Sequence, residues 1–377
     1  MKLGDVCIKI TSGGTPKSNN STYYGGKIPW LRTQEINFTE IKHTELHITE
    51  DGYNNSSTKW IPADSVIVAM YGATAGKSAI NKIPLTTNQA CCNLIIDSTK
   101  ADYRYVYYQL KLNYEKLVNL ANGGAQQNLN VGTIADFNID FPPLTVQQAI
   151  ADILSTIDTR ISTNKAINDN LEQMAQAIFK NWFVDFEPWG GEQPPDWREA
   201  ELGDVSTLSA GGDKPTVFTP IPTSECAIPV FSNGVDNLGL YGYTDRAKIT
   251  DESVTVSARG TIGFVCLRQD PFVPIVRLVT VVPNSSVITA KYLYLYLNSI
   301  HISGVGTTQQ QLTVPDFKKY HVLIPSFEAT QNFTTIVDPI FDIIRHKRDE
   351  NGRLIVIRDA LLPRLMSGEL AVADLRD

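Results

Sequence analysis

Residues 145–186 read TVQQAIADILSTIDTRISTNKAINDNLEQMAQAIFKNWFVDF. From Ile150, the positions Leu154, Ile157, Ile161, Asn164, Asn168, Leu171, Ala175, Ile178 and Trp182 follow alternating steps of four and three. That is the seam of a heptad helix, and no strand has such a period. Moving 183 positions along gives Phe333, Val337, Ile340, Ile344, Lys347, Asn351, Leu354, Arg358, Leu361 and Leu365, a second seam whose polar break falls in the same place. A pseudo-twofold arrangement predicts that the two helices run antiparallel. Leu154 then meets Leu361, Ile161 meets Leu354, Leu171 meets Ile344, Trp182 meets Phe333, Asn164 faces Asn351 and Asn168 faces Lys347. A polar layer in a coiled coil lowers stability and fixes register. The expected element is a rod of roughly 60 Å, from ~1.5 Å of rise per helical residue.

The doubling extends outward from the seams. Leu3-Gly4-Asp5-Val6 returns as Leu202-Gly203-Asp204-Val205, and Ile28-Pro29 as Ile228-Pro229. Ser65-Val66-Ile67-Val68 matches Ser253-Val254-Thr255-Val256, and Tyr103, Tyr105 and Tyr107 match Tyr292, Tyr294 and Tyr296. Gln127-Asn128-Leu129 aligns with Gln310-Gln311-Leu312, and Pro142 with Pro325. Ordered matches over nearly the whole chain mark an internal duplication. Each half reads as mixed, with β-rich runs broken by Gly, Asn and Pro and one late amphipathic helix, residues 103–120 and 291–300. The expected parts are a first domain (1–142), a first spacer helix (143–187), a linker (188–199), a second domain (200–325), and a second spacer helix with a tail (326–377). Pro363 is expected to break the second helix and leave 364–377 folded back.

The 377 residues, 42% hydrophobic and 19% charged, describe a globular chain of about two domains. No apolar run approaches a membrane span and the N-terminus lacks a signal-peptide core, so a cytoplasmic protein without membrane partners is expected. The five cysteines include no C-x-x-C pair, so neither a disulfide framework nor a zinc site is indicated. The net charge of −7 is unevenly spread. Residues 1–142 carry 13 basic against 12 acidic side chains and 200–325 carry 9 against 10, whereas 143–199 carry 4 against 9. Nearly neutral globular parts permit DNA contact through local basic loops but supply no strong non-specific attraction.

Several motifs resemble catalytic ones and fail on inspection. Gly72-Ala73-Thr74-Ala75-Gly76-Lys77-Ser78 is one residue short of a P-loop, and its counterpart Arg259-Gly260-Thr261-Ile262-Gly263 has no Lys-Ser. His43-Thr44-Glu45-Leu46-His47 lacks the H-E-x-x-H order of zinc proteases. Pro195-Asp196 with Glu199 and Glu201 lacks the final basic residue of a nuclease set, and no amino-methyltransferase motif occurs. The remaining candidates are polar loops at matched positions. The first half supplies Thr15, Lys17, Arg32, Gln34, Glu35, Tyr71, Thr74, Lys77, Gln126, Gln127 and Asn128. The second supplies Lys214, Ser232, Asn233, Arg259, Gln309, Gln310 and Gln311. Gln, Asn and Arg read purine edges bidentately, while Lys, Thr and backbone amides serve phosphates; ordinary turn chemistry is the competing explanation. Features that differ between the halves are the better base readers: Arg32, Gln34 and Glu35 against Ser232 and Asn233, and Tyr71 and Lys77 against Arg259.

With these features together, the chain resembles a type I restriction-modification specificity subunit. The resemblance rests on the paired Leu-Gly-Asp-Val openings, the glycine turns at Gly72 and Gly260, and Phe141-Pro142-Pro143-Leu144 followed by Gln147-Gln148. Phe179-Lys180-Asn181-Trp182-Phe183-Val184-Asp185-Phe186 and Leu361-Leu362-Pro363-Arg364-Leu365-Met366-Ser367-Gly368-Glu369-Leu370 complete it. The second repeat lacks the Trp-Phe-Val-Asp-Phe end of the first. The resemblance implies two α/β target-recognition domains on an antiparallel two-helix coiled coil, each reading half of a bipartite site in double-stranded DNA. It implies as partners two methyltransferase subunits using S-adenosylmethionine and a restriction motor subunit using ATP and Mg²⁺, with no cofactor and no catalysis in this chain. Phe179, Trp182, Phe183 and Phe186 are then candidates to dock a methyltransferase subunit, against the alternative of plain packing on Phe333. The competing class is a coiled-coil scaffold that does not read DNA.

Overall fold

The computed structural model describes residues 1–120, 128–304 and 311–375. They form two compact units, Met1–Thr163 with Glu350–Asp377, and Asn164–Asp349. Both long helices contribute to both units.

In the first unit the strands are β1 (Cys7–Ser12), β2 (Tyr24–Leu31), β3 (Thr39–Ile41), β4 (Leu46–Ile48), β5 (Trp60–Ile61), β6 (Val66–Ala69), β7 (Ser78–Asn81), β8 (Leu85–Thr87) and β9 (Cys91–Ile96). They build one sheet ordered β1-β9-β6-β7-β3 and another ordered β4-β2-β8-β5. β6 is buried on both faces, which explains its unbroken apolar run Val-Ile-Val-Ala. Val66 and Val68 join a core with Leu3, Tyr105 and Leu154, while Ile67 and Ala69 join a second one with Leu31, Ile36 and Ile41. The late helix expected over 103–120 is interrupted: Tyr103–Leu112 and Tyr114–Val118 meet at Asn113. The Asn113 side chain there donates to the Gln109 carbonyl at 2.9 Å, the local bonding by which asparagine competes with a helix.

The second unit holds β10 (Arg198–Glu201), β11 (Ser206–Ala210), β12 (Ile228–Phe231), β13 (Leu240–Thr244), β14 (Ser253–Val256), β15 (Val265–Arg268), β16 (Val273–Pro274), β17 (Val279–Pro283) and β18 (His321–Ile324). Its sheets run β11-β17-β14-β15, β13-β12-β16 and β10-β18. The first two repeat the first unit's order, with β5 reduced to a single antiparallel bridge between Ile249 and Phe272 and no counterpart of β3 among the described residues. Individual hydrogen bonds repeat as well. Leu3 N donates to Phe137 O at 2.9 Å and Leu202 N to Tyr320 O at 2.8 Å; Leu129 N donates to Met70 O at 3.0 Å and Leu312 N to Ala258 O at 3.1 Å. One expected match is corrected. The Tyr105 hydroxyl donates to Asp140 O at 2.9 Å and the Tyr292 hydroxyl to Leu323 O at 2.7 Å. Tyr105 therefore corresponds to Tyr292, not Tyr294; the tyrosines recur every second residue, so a two-residue slip leaves the letters matched, and the hydroxyl's acceptor, together with the helix N-caps Asp102 and Thr289, fixes the register.

The long helices span Leu144–Phe183 and Phe327–Ser367, 40 and 41 residues. Within each unit their segments pair antiparallel. In the first, Ile150 and Leu154 pack with Leu362, Leu365 and Met366. Asp158 pairs with Arg358 at 2.7 Å and Arg160 with Glu350 at 2.7 Å, while Asn351 Nδ2 donates to Ile161 O at 3.2 Å. In the second, Trp182 meets Phe333 at 5.9 Å between ring centroids, as the expected register requires. Asn168 Nδ2 donates to Ile344 O at 3.2 Å, so this polar position bonds the facing backbone. Two expectations are revised. Toward the end of the first helix the buried positions step by four, through Ala175, Phe179 and Phe183, because this segment also covers its unit's sheet core, which rotates the apolar stripe. And Pro363 lies inside the second helix, which ends only before Gly368 at φ 75°. The burial of Leu362, Leu365 and Met366 around it offsets a proline cost of about 3 kcal/mol. Since Phe179 and Phe183 are 1% and 4% exposed, alanine at either should lower unfolding free energy by about 3–5 kcal/mol, measured by denaturant titration of the full chain. A change below about 1 kcal/mol would show that these rings are peripheral.

Candidate nucleic-acid interface

In the first unit, loops at the strand ends form one connected rim. The Thr15 hydroxyl meets the Gln89 side-chain carbonyl, Asn88 N donates to Leu31 O at 2.9 Å, and Trp30 Nε1 donates to Gly14 O at 3.0 Å. Thr74 Oγ1 donates to Thr33 O at 2.7 Å and Lys77 Nζ to Asn37 Oδ1 at 2.8 Å. The turn between β6 and β7 places Gly72 and Gly76 at φ 81°, and its counterpart places Gly260 and Gly263 at 70° and 84°. L side chains rarely adopt that conformation. The turn continues into a strand, so no helix N-terminus follows as it does in a P-loop.

Arg32, Gln34 and Glu35 are held by their own surroundings. Glu35 accepts from Arg32 N at 3.0 Å and from Glu45 N at 2.9 Å, bracing two backbone segments. Arg32 donates to Glu45 at 2.8 Å, and the Gln34 amide, oriented to accept, takes the same guanidinium at 2.6 and 3.2 Å. In the second unit, Asn233 Nδ2 donates to Val276 O at 2.6 Å and its Oδ1 accepts from Ala258 N at 2.7 Å. Arg259 donates to Gln311 Oε1 at 3.1 Å. The Lys214 ammonium sits 3.6 Å from the Phe218 ring centroid, a cation–π seat. Lys17, Tyr71, Asn128 and the Ser232 hydroxyl have no intramolecular side-chain partner among the described residues, and the first three are exposed. Gln126, Gln127, Gln309 and Gln310 lie outside the described residues.

The sequence did not single out Asn37, Gln89 or Phe218, and offered Glu45 only within a rejected metal motif; their roles depend on segments brought together by the sheets. Four free thiols, Cys7, Cys91, Cys92 and Cys266, are pushed above their ordinary range by burial, Cys7 and Cys92 to about 12, which marks packing groups rather than nucleophiles. The four aromatic candidates cluster in the second unit. Phe183 lies 4.9 Å from Phe333, 4.9 Å from Tyr292 and 5.5 Å from Trp197. Phe179 lies 5.6 Å from Tyr292, Trp182 5.4 Å from Trp189, and Phe186 6.0 Å from Trp197. Phe179 and Phe183 are core residues, and only Trp182 and Phe186 keep part of their rings at the surface.

The profile of the type I restriction modification DNA specificity domain matches residues 1–173 and 194–353. The chain belongs to this family. It is 29% identical over 99% of its length to the type I restriction enzyme MjaIX specificity subunit of Methanocaldococcus jannaschii, covering 94% of that protein. It is 25% identical to the HindI specificity subunit of Haemophilus influenzae, with 68% of this chain and 74% of that one covered. The crystal structure of a type I restriction-modification S subunit from M. genitalium shares the fold, with a TM-score of 0.61 at 18% identity over 97% of this chain and 95% of that one. Among the described residues no helix is long and apolar enough to cross a membrane. As a member of this family the chain carries two copies of one α/β lobe, and in the first Glu35 ties the rim together. Glu35→Ala should cost about 1–3 kcal/mol of unfolding free energy through the loss of two amide bonds to its carboxylate, the one from Arg32 N part-buried, measured by thermal melting. An unchanged melt would show that the loop does not need the carboxylate.

Proposed function

We propose that this chain is the sequence-reading subunit of a type I restriction-modification complex, with residues 1–142 and 200–325 each reading one half of a bipartite DNA site. The supporting observation is that the same strand order carries different side chains at matched rim positions, Tyr71 against Arg259 and Asn128 against Gln311. A common frame with divergent rims is what two readers of different half-sites require. Thr15, Lys17, Thr74, Lys77 and Lys214 are assigned to backbone phosphates, and Tyr71, Asn128, Ser232 and Arg259 to base edges. Arg32 and Gln34 join the readers only by exchanging their present partners for bases. Glu35 and Asn233 act through loop shape.

The segments 143–187 and 326–377 are the spacer, with 188–199 as linker. A helix of 40 residues is about 60 Å long, more than the ~34 Å of one DNA turn that separates adjacent half-sites. Two methyltransferase subunits and a restriction motor subunit supply S-adenosylmethionine, ATP and Mg²⁺ chemistry in the cytoplasm, while this chain catalyses nothing. Of the four aromatic candidates, Trp182 and Phe186 are the ones proposed to touch a methyltransferase subunit, together with Val184, which is 49% exposed.

Sequencing methylated adenine in cells that express this chain with methyltransferase subunits tests the reading. A split motif with an unread spacer is expected; methylation without any motif, or no retention of DNA by the purified complex, would favour the scaffold alternative. Lys17→Ala with Tyr71→Ala should alter only the half-site read by the first unit, and loss of both halves together would count against separate readers. Removing residues 155–161 and 354–360, one heptad from each helix, should shorten the unread spacer by roughly three base pairs, from ~1.5 Å per residue; an unchanged spacer would remove the ruler.

A further inference from the structure

One sheet position is occupied differently in the two units. The β6–β7 pairing sets Val66 opposite Ile80 and the β14–β15 pairing sets Val254 opposite Leu267, so Asn81 and Arg268 are equivalent. Asn81 serves its own strand ends, accepting from Ser65 N at 3.0 Å and donating to Pro62 O at 2.7 Å and Ile83 O at 2.9 Å. The sheet face it lies on packs against aliphatic Leu31, Ile36, Ile41 and Ile61. The corresponding face in the second unit carries buried Thr255 where the first has Ile67, keeps buried polar residues at Ser253 and Thr280 as the first does at Ser65 and Asn93, and its aliphatic cluster shrinks to Val230, Val273 and Ile275.

Into this space reaches Arg268, 5% exposed. Its Nε donates to Thr255 Oγ1 at 2.9 Å and a terminal nitrogen donates to Leu238 O at 2.8 Å. The guanidinium lies 3.6 Å from the Phe231 ring centroid. Among the described residues no carboxylate pairs with it; burial pushes its pKa down to about 10, which leaves it charged at neutral pH. An uncompensated buried cation is costly, and Asn81 shows that the strand itself does not require one. Loop 232–239 supplies the reason. Asn237, Leu238 and Gly239 are three consecutive left-handed residues, at φ 48°, 55° and 80°, a conformation disfavoured for asparagine and still more for leucine. Val235, Asp236 and Asn237 stand exposed on this loop, beside the Ser232 already assigned to base edges.

We propose that Arg268 is a positioning residue for DNA reading by the second unit: by holding the Leu238 carbonyl it fixes the left-handed bend and hence the shape in which Val235, Asp236 and Asn237 meet the DNA. The inference rests on the reading of this unit as a DNA reader. The test uses the full chain co-expressed with a methyltransferase subunit, carrying Arg268→Met or Arg268→Met with Leu238→Gly, because glycine adopts the bend without support. Arg268→Met should raise amide hydrogen exchange in 232–239 by about tenfold while β14 and β17 keep their protection, and should relax the methylated motif in the second half-site alone. The double variant should bring the loop's exchange back toward that of the unsubstituted chain, which a mere packing role for Arg268 would not allow. Unchanged exchange in 232–239, a rise spread evenly over the whole unit, or an unrelaxed second half-site would each overturn the proposal. Should Arg268→Met fail to fold, Arg268→Lys, which keeps the charge with fewer directed donors, is read by the same measures. An unsubstituted complex that methylates without a split motif would sink the DNA-reading function itself, whereas a split motif indifferent to Arg268 sinks only this role.

Discussion

The constraint on which the rest depends is that the long helices complete the cores of the globular units rather than standing beside them. Phe183 contacts Phe333 on the second helix, Tyr292 on a short helix and Trp197 just before β10. In the first unit, Leu154 closes the same core as Leu3 and Tyr105 on one side and Leu362 and Leu365 on the other. Helix pairing and lobe packing therefore share side chains, and weakening either exposes apolar surface belonging to both. Within each unit the helix pair keeps its register for two reasons, its own polar position, Asn351 in the first and Asn168 in the second, and the lobe core that it completes.

The same economy governs the rims. At the rims the shared bonds include backbone-to-backbone ones, as Leu129 to Met70 and Leu312 to Ala258. They hold the frame whatever side chains the loops carry. Where side chains brace the loops, the solutions diverge: Glu35 ties two amides in the first unit, and Asn233 ties a carbonyl and an amide in the second. Chemistry can therefore vary at Tyr71 or Arg259 without disturbing the sheets beneath. Polar residues with strong base-reading potential in isolation are, in several cases, already bonded to their own chain. Buried backbone groups must find partners, and a nearby carboxylate or amide meets that demand first.

Much of the fold was legible in the sequence because it follows from periodicity. The four-three spacing of Ile150 to Trp182 gave the helix, and the recurrence 183 positions on gave its partner. The duplicated Leu-Gly-Asp-Val and Pro positions gave two lobes of one kind. Less legible was anything set by contacts remote in sequence. Pro363 reads as a helix breaker, yet its neighbours are buried deeply enough to carry the helix to Ser367. Phe179 and Phe183 read as docking groups, with packing on Phe333 as the alternative; the presence of Tyr292, Trp197 and Phe333 around them makes them core residues. The candidate rim was legible as a set of loops but not as a set of contacts. Glu45, Gln89 and Arg268 reach their partners from 10, 74 and 30 residues away.

By itself, then, the sequence determined the repeat, the antiparallel helix pair and the segments that form the rims, since these depend on spacing along one chain and on matching one half with the other. The tertiary structure decided which rim side chains are already bound, where the apolar stripe of each helix turns, and why an arginine lies buried at Arg268 where its counterpart is Asn81. Those outcomes depend on which donors and acceptors come within about 3 Å of one another, a distance that sheet pairing and core packing set and that no local pattern encodes.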